Sequence, residues 1–175
     1  MKYGDNKNRH MKSVAEIMYE NAPVLQLDPD KAYVTGLMHD VGYIKTKIGH
    51  EEMGAALLES MGLSKEYADA IRYHSTSGYD LIKKGIEITP MMLLLQYADM
   101  TVDKTGEKIG YAGRLEDIGK RYGWHDIAYI NARNTVDFLK KVFEVKYGEI
   151  QPVSRKEFDM RINQIKQEML EELDR

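Results

Sequence analysis

Cysteine is absent from the 175-residue chain, which excludes disulfide staples, thiolate catalysis, iron–sulfur clusters and cysteine zinc sites in one step. Any bound metal must therefore be held by His, Asp or Glu. Long apolar runs are missing too. The longest, Pro90 to Leu95, is far too short to cross a bilayer, and Met1 to His10 is too polar for a signal peptide. No membrane partner is expected, and the protein is expected to stay in the cytoplasm. An excess of one charge is also lacking: 28 acidic and 25 basic residues interleave to a formal charge of −3, leaving no basic stripe to track a nucleic-acid backbone. Long nucleic acids are thus not expected partners, whereas a small anionic ligand held through a metal suits this balance. Repeats, low-complexity tracts and a domain linker are absent as well. What remains is a globular composition, 43% hydrophobic and 30% charged, at a length that buries one core without staples.

Helix signals recur along the whole chain. Met11, Val14, Ala15 and Met18 share one face of a first helix that starts near Asp5 or Asn6. Asp28-Pro29 reads as an N-cap followed by proline at the first helical position, and that helix runs through Ala32, Val34, Leu37 and Met38 into His39-Asp40. Further helices are predicted from about His50 to Gly62 and from Ser64 to His74, with the Thr-Ser-Gly-Tyr segment after His74 read as irregular. Thr89-Pro90 repeats the cap signal ahead of an apolar run that ends in Asp99. The Asp103 to Arg121 section reads as a surface loop and then a solvated, charged helix over Gly113 to Tyr122, in which Arg114 and Arg121 face water. Another helix carries Ile127, Ile130, Val136 and Leu139, and Ser154 with Glu157 forms a capping box for the last. Its stripe of Phe158, Ile162, Ile165 and Met169 favours packing on the parent domain over a dimer seam, with a homodimer left open. Strand patterns are nearly absent, so the expected fold class is all-α.

Chemistry concentrates in the first half. His10, His39, His50 and His74 fall at the starts or ends of predicted helices. Imidazole and carboxylate together suit iron, manganese, nickel or zinc, and such sites draw ligands from several converging helices. Asp40 directly follows His39, and neighbours on a helix diverge by about 100°. The pair can serve one ion only where the helix stops, and Val41-Gly42 is consistent with a stop. Asp99 closes an apolar run, where a carboxylate needs an ion pair or a cation. His125, between Trp124 and Asp126, reads as a surface or capping residue.

Arg9-His10, Leu37-Met38-His39-Asp40-Val41-Gly42, Gly49-His50, Ile71-Arg72-Tyr73-His74 and Tyr97-Ala98-Asp99 occur in this order on separate predicted helices. This pattern resembles the HD-domain metal-dependent phosphohydrolases over about the first 100 residues. The resemblance implies a single helical domain over 1–175, with a core of about 5–105 and added C-terminal helices over about 107–173, and a metal site between helices. It implies His10, His39, Asp40 and Asp99 as ligands of a first ion, with His50 and His74 holding a second or meeting the substrate phosphate. Asp40, His50 and His74 are the catalytic candidates. Lys45 and Arg72 are candidates for phosphate contact, and Lys45 or Lys47 for the lysine often found where this chain has Tyr43. Within the family, the Gly-His and Ile-Arg-Tyr-His-Ser-Thr segments look most like the bacterial symmetrical diadenosine tetraphosphatases. The implied activity is hydrolysis of a phosphoester or phosphoanhydride of a nucleotide or dinucleoside polyphosphate. A di-iron oxygenase on the same fold and a non-catalytic nucleotide-binding module are the rival readings; the intact His-Asp doublet speaks against the module.

Overall fold

A computed structural model describes residues 2–46 and 48–173, with side chains over 6–46 and 48–172. Nine α-helices are formed among the described residues: α1 (Lys2–Asn21), α2 (Pro29–Met38), α3 (His50–Ser60), α4 (Lys65–Arg72), α5 (Gly78–Lys83), α6 (Pro90–Asp99), α7 (Gly110–Tyr122), α8 (Ile127–Val142) and α9 (Arg155–Leu173). The fold is all-α apart from one small hairpin. No helix among the described residues is long and apolar enough to cross a membrane.

The helix starts follow from cap chemistry. Asp28 accepts the backbone N–H groups of Asp30 and Lys31 ahead of Pro29, and Thr89 accepts that of Met92 ahead of Pro90. Ser154 Oγ takes the Glu157 N–H at 3.3 Å, but the Glu157 carboxylate turns one helical turn onward to Arg161, so only half of the predicted box forms. Two segments differ from the sequence expectation. The chain after His74 is not irregular throughout: Ser77 caps α5 through the Asp80 N–H, and Gly78 and Tyr79 are already helical. Between α8 and α9, Glu144–Lys146 and Glu149–Gln151 pair as an antiparallel hairpin. Its turn places both Tyr147 and Gly148 at positive φ, the conformation a two-residue hairpin turn requires.

α6 is the centre of the molecule. Leu93, Leu94 and Leu95 are wholly buried, as an all-round apolar helix must be, and α1, α2, α4 and α8 pack on it. The core continues outward without a break from Val14 on α1 to Phe158, Ile162 and Ile165 on α9. The stripe of α9 thus packs on the same core. α1 and α2 approach so closely that a Cβ on Gly36 would lie 2.7 Å from Ala15 Cα. These three helices, α1, α2 and α6, bring His10, the end of α2 and Asp99 to one place.

Candidate metal centre

The helix α2 ends at Met38, and the chain tightens at Val41–Ile44 into a single 3₁₀ turn. His39 and Asp40 therefore lie on the bend rather than on a regular helix, and their side chains converge: His39 Nε2 is 3.7 Å from Asp40 Oδ1. Gly42 makes the bend usable. A Cβ there would stand 1.8 Å from the His50 carbonyl oxygen, so only glycine lets this turn lie against the first turn of α3, which carries His50. His74 comes from the turn after α4. That turn is held from the core by Gln96 on α6, whose Nε2 donates to the carbonyls of Tyr73 and Thr76 at 3.2 and 2.7 Å.

Six predicted residues meet here: His10, His39, Asp40, His50, His74 and Asp99. They form two groups whose ligand atoms lie within 4.8 Å of one another, His10 with His39 and Asp99, and Asp40 with His50 and His74. The sequence reading placed Asp40 with the first group; in the structure it stands at the seam. Its Oδ1 is 3.6 Å from His50 Nε2, 3.8 Å from His74 Nε2 and 3.7 Å from His39 Nε2.

Three imidazoles are oriented by the backbone. Nδ1 of His10, His39 and His74 lies 2.7–2.8 Å from the carbonyls of Asp103, Gly36 and Ile71. A carbonyl only accepts, so Nδ1 carries the proton and donates; at His39 and His74 this leaves the Nε2 lone pair of the neutral ring facing the centre, whereas His10 Nε2 faces Asp99 and carries a proton there that a metal ion would replace. His50 instead sets Nδ1 3.2 Å from Glu51 Oε2, and Ser75 donates to the other Glu51 oxygen at 2.5 Å. Burial works against the Glu51 charge. The Ser75 hydrogen bond, the residue's own N–H and the nearby imidazoles outweigh it and hold the carboxyl below its ordinary range.

Electrostatics prepare the same donors. Burial lowers the pKa of His39 and His50 against the pull of neighbouring carboxylates, keeping them in the neutral form a metal needs. Asp99 is half-buried, and partial desolvation disfavours its charge, yet the hydrogen bond from His10 at 3.0 Å and the Arg114 guanidinium hold its carboxyl well below the usual range. Ligands about 2.1 Å from one ion stand roughly 3–4 Å apart, and the cross-distances of 3.0–4.0 Å from the Nε2 atoms to Asp40 and Asp99 match that spacing. Four imidazoles and two carboxylates, free of thiolate, are a donor set for a divalent first-row ion.

Other residues fall differently. Arg114, read as solvated, is a correction. Its side chain is 11% exposed and its Nη2 lies 3.5 Å from Asp99 Oδ1, because α7 turns that face inward. Its periodic, charged surroundings hid it. Arg72 pairs with Glu52, Glu59 and Asp69 between α3 and α4, and the exposed Lys45 has no ion pair among the described residues. Neither is drawn to the cluster. Lys47 lies outside the described residues. His125 is exposed. Sequence reasoning passed over Lys7, Glu51, Gln96 and Arg114; of these only Glu51, next to His50, carried a positional hint.

The HD domain model matches residues 9–102, more than half of the chain, and the protein belongs to the HD domain family. Ribonuclease Y of Fervidobacterium nodosum is 30% identical over 140 residues, covering 73% of this chain and 25% of that protein. Ribonuclease Y of Thermus thermophilus is 37% identical over 75 residues, covering 41% of this chain and 13% of that protein. The chain thus spans a quarter or less of these relatives' length. No solved structure matches it significantly. Family and relatives together support a metal-dependent hydrolase.

Proposed function

We propose that this chain is a metal-dependent phosphohydrolase that cleaves a phosphoester or phosphoanhydride of a small nucleotide-type substrate. The observation that carries the reading is the pair of adjacent ligand groups joined at Asp40. His10, His39 and Asp99 would hold one ion, Asp40, His50 and His74 the other, with iron, manganese, nickel and zinc all suited to the donors. A divalent ion bound there lowers the pKa of a water toward neutrality and offsets charge on phosphoryl oxygens. The residues do the rest. Backbone carbonyls fix three rings with Nε2 inward, and Asp40 and Asp99 bring two negative charges that balance dications in a buried place. Asp40 can face both ions, because its Oδ1 stands near three imidazoles at once.

The charge balance, −3 with mixed signs, supports a small substrate such as a nucleotide or dinucleoside polyphosphate. The name of the relatives supports a second reading, an internucleotide phosphodiester of RNA. Metal analysis of the purified chain, followed by a product screen over nucleotides, dinucleoside polyphosphates and short RNA, separates the two. Hydrolysis of the small substrates is expected. A metal-loaded chain that cleaves none of the three classes would overturn the reading.

A further inference from the structure

Lys7 sits three residues before His10 on α1, so the two side chains share a face of the helix. Its ammonium lies 3.8 Å from Asp40 Oδ2, beyond hydrogen-bond range. That oxygen is the other one of the carboxylate from Oδ1, which stands near the three imidazoles. The ammonium also stands over the Tyr43 ring, 3.4 Å from its centre, while His50 stacks on the same ring at 3.7 Å with an interplanar angle of 18°. Two groups so near one ring centre cannot occupy the same face. Tyr43 is therefore sandwiched between the ammonium and a ligand imidazole, and it sets the spacing between them. A cation on an aromatic face still has N–H donors directed away from the ring for other acceptors.

The neighbouring cations have other commitments. Arg114 serves Asp99 and Asp117, Arg72 serves three carboxylates, and Lys45 is exposed. Lys7 is half-buried, with a side chain 25% exposed, and lies ahead of the segment matched by the family, which begins at residue 9. We propose that Lys7, seated on the Tyr43 ring, binds a non-bridging oxygen of the substrate phosphate on the Asp40 side of the centre. This assignment rests on the phosphohydrolase reading above. Non-bridging oxygens carry the charge of a phosphoryl group throughout its transfer, and a fixed ammonium meets that charge without rearrangement.

The test uses inorganic phosphate as the probe, titrated calorimetrically into the manganese-loaded full chain, with manganese content measured on the same samples. Lys7→Met keeps the stem and removes the charge. It is expected to weaken phosphate binding about 10-fold or more, the worth of one charge-assisted hydrogen bond, with manganese content unchanged. Lys7→Arg is expected to recover most of the affinity, and Tyr43→Leu to weaken it in the same direction. Wild-type phosphate affinity in manganese-replete Lys7→Met overturns the assignment and leaves the phosphohydrolase reading standing. Loss of manganese along with phosphate in that variant also overturns it, making Lys7 a support for Asp40. No measurable phosphate affinity in the manganese-loaded wild type overturns the assignment as well. A wild-type chain that takes up no manganese is loaded with zinc for the same titration, and one that takes up none of manganese, iron, nickel or zinc overturns the parent reading and the assignment together.

Discussion

Gly36→Ala tests whether the packing of two helices sets the metal centre. The added methyl would meet Ala15 Cα at 2.7 Å, Met18 Sδ at 2.9 Å and Ala15 N at 3.0 Å. Ordinary carbon contacts are about 3.5–4.0 Å, so α1 and α2 must separate by roughly 1 Å. Two of the three obstacles are backbone atoms, which no rotamer change relieves. Overpacking of this kind costs about 1–3 kcal/mol, and a domain of this size loses about 2–4 °C of melting temperature per kcal/mol. A fall of roughly 2–12 °C in the metal-free protein is expected, read by circular dichroism. The consequence for function is larger. His10 lies on α1 and His39 at the end of α2, and their Nδ1 partners belong to different segments, so the two lone pairs would shift apart by more than the few tenths of an ångström a metal site tolerates. Metal content after dialysis should fall with the melting temperature. Met18→Ala added to Gly36→Ala removes the sulfur contact alone and should restore little of either. A Gly36→Ala protein that melts at the wild-type temperature and keeps wild-type metal would refute the reasoning.

Three further outcomes are expected. Asp40→Asn keeps the size and one ligand oxygen but loses the charge that holds a dication; hydrolysis of the best phosphorylated substrate should drop by about 10²–10³ or more, and near wild-type turnover with unchanged metal would contradict the bridging role. Arg114→Met removes the guanidinium beside Asp99, and the half-buried carboxylate, left with His10 alone, should lower metal-free stability by about 1–3 kcal/mol, measured by urea unfolding; an unchanged midpoint would return Arg114 to the solvent. In the metal-free protein, burial opposes a charge on His10, but Asp99 outweighs it and raises the imidazole's pKa. The stabilisation from that charged ring is therefore fully present below about pH 6.5 and lost as the pH rises through the raised value. Asp99, with its pKa lowered, contributes above about pH 3.9 and loses its contribution as the pH falls through the depressed value. His39 and His50, whose pKa values are lowered, act the other way and cost stability as the pH falls below about 6.5, so the His10 contribution is read by difference: the wild-type advantage in urea midpoint over metal-free His10→Gln should be largest between about pH 3.9 and 6.5 and shrink as the pH rises.

Much of this was legible because local chemistry and long-range packing agree. Asp28-Pro29 and Thr89-Pro90 announce helix starts whatever the rest of the chain does, and a carboxylate closing the apolar run at Asp99 demands a cation. The ordered His, His-Asp, Asp pattern needed no coordinates to be seen. What escaped depended on distant neighbours. Gly78 looks like a loop residue, yet it begins a helix capped by Ser77, and it is glycine because a Cβ there would run into the Phe138 ring at 2.2 Å, sixty residues onward in sequence. The Glu-Val-Lys and Glu-Ile-Gln arms of the hairpin are too short to show a period, and only Tyr147-Gly148 between them marks the turn. Arg114 and Lys7 carry charges that a pattern search assigns to water; their roles arise where α7 brings Arg114 to the end of α6 and α1 brings Lys7 to the bend after α2.

The segment that follows Asp99 reaches back to α1 twice: the Asp103 carbonyl takes the His10 Nδ1 proton at 2.8 Å and the Gly106 carbonyl takes the Ser13 hydroxyl at 2.7 Å. One imidazole is consequently gripped at both nitrogens by chain that lies up to 93 residues away. On the ribosome, a nascent chain would have made His10, His39, Asp40, His50 and His74 well before it made the residues that steady the first of them. High-separation contacts of this kind close late, since loop entropy must be overcome before they repay it. Metal capture would then mark the completion of folding through residue 106, rather than nucleate it.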